Sequence, residues 1–304
     1  MGGVSDGERL IQLRGASGKR SGSGSVGAMS SGLAARLGLA SDARAVVVSC
    51  RGLGTCHASN QGVLAALRLG VGTAADLMVP CTWARHAARQ ASERDDIGVE
   101  LTLNARYELY RWGPLTHAPS LVDGDGGFPR TIEDLWDHAD LDEVRRECRT
   151  QIERASQWGV DVTHIGSYLS VLALRPEFFD IYLDLAVEFR LPVQLPPATL
   201  ERQAGFPLRE LADEAGVLHV DRVIAPASED QLLDALRHLE PGVTELVMRP
   251  ALDNPELRAF AADWSRQVSH HRALVGDAAV LEALTGVARV TYRQLRDIQR
   301  AAEH

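Results

Sequence analysis

The stretch Ala45-Val46-Val47-Val48-Ser49-Cys50-Arg51-Gly52-Leu53-Gly54-Thr55-Cys56-His57-Ala58-Ser59-Asn60 decides the fold. It starts with an apolar, β-branched run of the kind that forms a strand buried on both faces. Two glycines then lead into 60–69, where Val63, Leu64 and Leu67 recur at helical spacing before Gly70 and Gly72 end the pattern. The rhythm repeats. Further strands are expected at 74–79, 97–103, 160–165, 191–195, 220–224, 244–248 and 288–291. Helices are expected between them, at 82–92, 141–158, from Pro176 onward, and at 230–239, 255–268, 277–284 and 292–301. The clearest is 141–158, where Leu141, Val144, Cys148, Ile152 and Ala155 share one face and Gly159 supplies the C-terminal stop. Repeated strand–helix units predict a parallel sheet covered by helices. Seven or eight units in about 250 residues favour closure into a TIM-like (β/α) barrel, an α/β fold.

Composition narrows the function. The 304-residue chain carries a net charge of −9, and 45% of its residues are hydrophobic. A mixed, acidic charge pattern argues against a nucleic-acid partner. The sequence lacks a run of 18 apolar residues, so no membrane partner is expected. It lacks an apolar leader near its start, and Cys50, Cys56, Cys81 and Cys148 make no C-x-x-C pair. Reduced thiols and a cytoplasmic location are therefore expected. Residues 1–42 are rich in Gly and Ser and are expected to be a disordered extension, leaving 43–304 as the barrel domain. Gly18-Lys19 lacks the glycine spacing and preceding strand of a P-loop.

One connection, 104–130, is unusually long. Such loops are commonly functional. Tyr107, Tyr110 and Trp112 within it could stack on a sugar face, or the loop could form a lid packed on itself.

From Ala43 to Arg300 the chain resembles the YdjC/ChbG-type carbohydrate deacetylases. The resemblance rests on an ordered series: 47–60, Leu77-Met78-Val79-Pro80, Val99-Glu100-Leu101-Thr102-Leu103, Gln151-Ile152-Glu153, Thr163-His164-Ile165-Gly166-Ser167-Tyr168, Thr244 to Pro250, and Val290 to Leu295. It implies a TIM-like barrel, a divalent metal such as Mg or Zn, and removal of acetyl groups from N-acetylated sugars. It also implies homodimer formation as an option, since some members are dimers. The family carries an Asp-Asp pair after the first strand, a His on the third, an Asp-x-His element after a later strand, and a His before Pro near the end. Here those positions hold Arg51-Gly52, Glu100, Gly166-Ser167-Tyr168 and Arg249-Pro250.

Physically, these replacements disfavour a cation. Glycine offers no ligand, and a tyrosine phenol is protonated near neutral pH. At about 4 Å and an effective dielectric of about 20, Arg51 would repel the ion by roughly 4 kcal/mol per unit charge. No metal or other cofactor is expected at the family position. Arg51, Glu100, Tyr168 and Arg249 are the candidate functional residues, with His57, Asn60, Tyr107 and Trp112 as candidate ligand contacts. His164 is expected to be a structural histidine pointing away from the site, and His270-His271 a solvated helix end. Three readings follow: a plugged site in a protein that binds a sugar or other small molecule; a metal-free acid–base enzyme on an anionic small molecule; and residual deacetylation of an N-acetyl sugar.

Overall fold

The computed structural model describes residues 32–302. Seven parallel strands lie among them: β1 (Arg44–Leu53), β2 (Ala74–Leu77), β3 (Ile97–Leu101), β4 (Val162–Ser167), β5 (Arg222–Ile224), β6 (Gly242–Met248) and β7 (Ala288–Arg289). They pair in the order β4-β3-β2-β1-β6-β5, with β7 alongside the start of β1. The sheet curls into an open half-barrel with helices outside. The expected α/β architecture is present, but full closure into a TIM barrel is not.

The opening lies where an eighth strand was expected. Segment 191–195 forms only one bridge, Val193 against Ile165 of β4. Proline explains the shortfall. Pro192 lacks a donor for a ladder, and Pro196-Pro197 halt any continuation. The segment is nevertheless held tightly. Gln194 N–H donates to Ile165 O (2.9 Å), Val193 N–H donates to Leu218 O (2.9 Å), and the single proton of the buried Tyr182 hydroxyl is shared between the carbonyls of Ile165 (2.8 Å) and Gln194 (3.0 Å).

Helix positions follow local signals. The helix Leu141–Gln157 starts at Asp140, whose side chain accepts from the N–H groups of Asp142 and Glu143. The helix Pro176–Phe189 has proline in its first turn. The helix Tyr292–Ala301 opens on a full capping box of Thr291 and Gln294. Outward-facing residues such as Val46, Val48, Val99 and Ile165 share the main apolar core with the first two of these helices. A smaller cluster, including Val47, Val243, Tyr292 and Leu295, closes the lower end of the sheet.

Residues 1–31 of the expected extension lie outside the described residues. Leu33–Arg36 forms a helical turn, and Leu33 is buried in the lower cluster, so the packed domain starts ahead of Ala43. The long loop 104–130 closes on itself. Ala105 N–H donates to Pro129 O (3.0 Å), Phe128 N–H to Trp112 O (2.9 Å), and Trp112 Nε1 to Asn104 O (2.9 Å).

Gly98 on β3 shows how tight the interior is. A Cβ there would stand 2.5 Å from the His164 ring. Gly98→Ala is expected to lower stability by about 1–3 kcal/mol through overpacking. An unchanged urea midpoint would mean that His164 can move aside freely.

Candidate functional site

Strand alternation turns Ser49 and Arg51 of β1, Asp76 of β2, Gly98 and Glu100 of β3, His164 and Gly166 of β4, and Glu245 of β6 into the half-barrel. TIM-barrel interiors are usually filled by branched apolar side chains. This one is filled with charge. The Arg51 guanidinium lies 3.5 Å from Glu100 Oε1 and 3.8 Å from Glu245 Oε1, and donates to Gln194 Oε1 at 3.2 Å. Arg51 is 11% exposed, and Glu100 and Glu245 are fully buried. Gln194 Nε2 donates onward to Ser49 Oγ (2.9 Å) and Glu245 Oε1 (2.9 Å), while the Tyr292 hydroxyl donates to Glu245 Oε2 (3.0 Å).

A second polar layer lies next to it. Ser49 Oγ donates to Asp76 Oδ2 (2.7 Å), and His164 Nε2 lies 3.1 Å from Asp76 Oδ1. His164 also stacks on the Tyr292 ring, with centroids 4.1 Å apart. Its Nδ1 lies 2.9 Å from Thr163 Oγ1, which is bonded to Asp96. The structural, hydrogen-bonded role expected of His164 fits these contacts, but its expected direction does not. His164 and Gly166 are two apart on one strand, so both face inward.

Burial and charge set the titration of this layer. Burial pushes the carboxyls of Glu100 and Glu245 up, and the Arg51 guanidinium only partly offsets it. Asp76 goes the other way. Burial would raise it, but bonding and charge from His164, helped by Arg51 and Ser49, bring it below the usual range. Burial also opposes the charge on Arg51, yet Glu100, Asp76 and Glu245 together hold it more firmly protonated than a free arginine.

Arg51 borders a cavity of about 260 Å³ at the open side of the half-barrel, together with Ser167, Gln194, Val247 and Arg249. Its rim includes Leu169 and Ser170, whose φ angles of 55° and 58° place two consecutive non-glycine residues in the left-handed region. Such backbone is costly and concentrates at functional sites. Tyr168, just before them, is buried, and burial pushes its phenol well above the usual range. The Arg249 guanidinium lies 5.6 Å from the centre of the Tyr168 ring. His270 is not a solvated helix end. It is buried in the helix Trp264–Gly276, its Nδ1 accepts from Arg249 N–H at 3.0 Å, and burial first, then Arg266, pulls its pKa down to about 4.

The other candidate contacts lie apart from this cavity. Asn60 is buried and holds the first loop: its Oδ1 accepts from Gly54 N–H (2.7 Å), and its Nδ2 donates to Trp83 O (3.1 Å). His57 is exposed, with its ring 5.3 Å from Trp83 and 5.5 Å from His86. Trp112 is buried in the loop. Tyr107 packs edge-on between it (5.9 Å) and Phe260 (5.0 Å). The structure thus gathers Arg51, Glu100, Tyr168 and Arg249, and leaves His57, Asn60, Tyr107 and Trp112 outside the cavity lining. Gln194, Glu245 and Asp76 belong to the network but were not singled out from sequence. The available signal was a charge inside each of the apolar strands 74–77 and 242–248, since such charges are rarely buried unless paired.

A match to the YdjC-like protein family spans residues 46–285. The chain belongs to the YdjC-like family. A carbohydrate deacetylase of Thermus thermophilus is 34% identical over 273 residues, covering 86% of this chain and 97% of that protein. One from Geobacillus stearothermophilus is 30% identical over 253 residues, covering 83% and 98%. Chitooligosaccharide deacetylases of Yersinia species are 27% identical over 248 residues, covering 71% and 94%. The fold is shared with a crystal structure from Enterococcus faecalis V583 named for cellobiose-phosphate cleavage. That likeness has a TM-score of 0.73 at 22% identity and covers 83% of this chain and 99% of that one.

Within this YdjC-like half-barrel, no group of three or more His, Cys, Asp or Glu side chains among the described residues is arranged to hold a metal ion. The stabilising cation of the interior is Arg51. Removing it leaves buried carboxylates uncompensated, and breaking a buried pair this way typically costs about 3–5 kcal/mol. Arg51→Gln is expected to lose stability on that scale near neutral pH. The loss should depend on pH. Without the guanidinium, the folded-state pKa values of Glu100 and Glu245 rise further above their ordinary 4.5, so the folded state binds more protons. The deficit relative to wild type should therefore grow as pH rises through and beyond the raised folded-state values of Glu100 and Glu245, and be smallest near and below 4.5, where both carboxyls are protonated in either protein. Urea titrations at pH 5 and pH 8 measure this; equal deficits at both would contradict the assignment.

Proposed function

We propose that this YdjC-like protein is a metal-free member of its family, a pseudoenzyme that binds a small molecule in the Arg51–Arg249 cavity without hydrolysing an amide. One observation carries the reading. The Arg51 guanidinium is bracketed by Glu100 and Glu245, so a fixed positive side chain already balances the carboxylates that a cation would need.

The backbone around it supports the same conclusion. Gly52 stands where the resemblance expects a carboxylate, and its φ of 91° is one that residues with a side chain rarely adopt. Gly166 stands at another expected ligand position, and a Cβ there would lie 2.1 Å from Gln194 Oε1. The space for that ligand is taken by the carboxamide that also binds Arg51. Tyr168 and Arg249 complete the replaced set; one is a phenol held protonated by burial, the other a cation. These residues do not fit a divalent ion, and no catalytic step is assigned through one.

Metal-free acid–base chemistry has less support. Glu100 is buried and does not line the cavity, and the Tyr168 phenol titrates too high to act as a base near neutral pH. The four cysteines are unpaired and buried, which supports a reducing, cytoplasmic compartment.

Elemental analysis after incubation with Zn²⁺ or Mg²⁺ and dialysis should find well under one equivalent of either metal. Acetate release from N,N′-diacetylchitobiose should stay at background. One tightly bound equivalent, lost in Glu100→Gln, would refute the proposal. Gly166→Asp should lower the melting temperature by displacing Gln194 and should not create metal affinity.

A further inference from the structure

Arg51 and Arg249 both line the cavity, but their surroundings differ. Arg51 is engaged by Glu100, Glu245 and Gln194. Arg249 is half-buried and has no ion pair among the described residues; its guanidinium rests on the Tyr168 ring. Glu100 feels Arg249 only through the field and makes its bond to Arg51 instead. The Arg249 backbone is fixed by His270, which anchors the base of the side chain.

The rest of the cavity is mainly apolar. Leu195, Pro196, Leu200, Val223 and Val247 form much of its wall. Ser167 Oγ accepts from Leu172 N–H at 3.0 Å, which leaves its hydroxyl proton as one donor toward the cavity. A neutral sugar needs many donors and acceptors along its edge, and this wall supplies few. One unpaired guanidinium above an apolar pocket matches a different chemistry. A guanidinium binds a carboxylate through two parallel hydrogen bonds, more strongly where water is excluded. Small-ligand sites are commonly apolar with a few placed polar groups.

We propose that the cavity binds a small carboxylate with an apolar body, its carboxylate seated on Arg249 and its body against Leu195, Leu200 and Val223. This rests on the metal-free reading of the site and names its ligand class. The left-handed pair Leu169 and Ser170 forms part of the rim beside the ligand.

Calorimetric titration of the full chain with benzoate and hexanoate tests the assignment, with benzamide, inorganic phosphate and N-acetylglucosamine as comparisons. One saturable site for benzoate or hexanoate is expected, with benzamide at least tenfold weaker. Arg249→Gln should weaken benzoate at least tenfold, and Arg249→Lys should fall between it and wild type. Leu200→Trp, which fills the pocket and leaves Arg249 in place, should also abolish binding. Circular dichroism melts of each variant separate lost binding from lost fold. Equal binding of benzoate and benzamide, binding of phosphate alone, preference for N-acetylglucosamine, or no binding to folded wild type would each overturn the proposal. Failure of the metal-free reading would show separately, as a metal equivalent in the same wild-type preparation.

Discussion

The pairing of Arg51 with buried carboxylates is the constraint on which the rest of the interior depends. Asp76, Glu100 and Glu245 are all fully buried, and an isolated ionised group at such a site would be very costly. Arg51 reaches Glu100 and Glu245 directly and Asp76 through the field. Neutral groups fill the gaps between these charges. Gln194 bridges Arg51, Ser49 and Glu245, and Tyr292 reaches Glu245 from the lower helix. The network therefore joins β1, β3, β6, the irregular segment at 191–195 and the helix that closes the lower end. Apolar burial holds the helices onto the sheet, while this network specifies how the strands meet inside. Two atoms, Arg51 Nε and Glu100 Oε2, remain buried without a hydrogen bond. Such groups weaken the net stabilisation, so the network contributes more to arrangement than its ion-pair count implies.

Much of the fold was legible because it rests on local signals. Apolar β-branched runs, a proline at the start of 176–189 and Gly159 just past 141–157 each mark an element without reference to the rest of the chain. The open edge was less legible. Segment 191–195 has the apolar character of a strand, but its prolines leave one bridge, and only tertiary bonds from Tyr182 and Leu218 hold it in place. Residue identity also misled where burial decided the outcome. His270 looked like a surface histidine in a polar run, yet it lies inward and is held neutral. The aromatic loop was open to two readings, a ligand platform or a lid packed on itself, and Trp112 spends its indole N–H on Asn104 within the loop.

The candidate site was half legible. The ordered resemblance located Arg51, Glu100, Tyr168 and Arg249, and the structure gathers them around one region. Their connections were not readable from spacing. Gln194 is 143 positions from Arg51, and Glu245 is 51 from Gln194. Strand register, not sequence neighbourhood, makes those contacts.

Two arginines at two replaced positions would be expected to act alike, as a clamp. Their environments make them opposites. Arg51 is already paired with Glu100 and Glu245, so binding a further anion there would add repulsion from both. Arg249 has an aromatic face and an apolar wall, and nothing anionic within bonding distance among the described residues. A half-buried guanidinium with no ion pair keeps its donors open to an arriving carboxylate. Charge type alone therefore does not distinguish a plug from a receptor. The difference is whether the protein has already supplied the counter-charge, which it has done at Arg51 and not at Arg249.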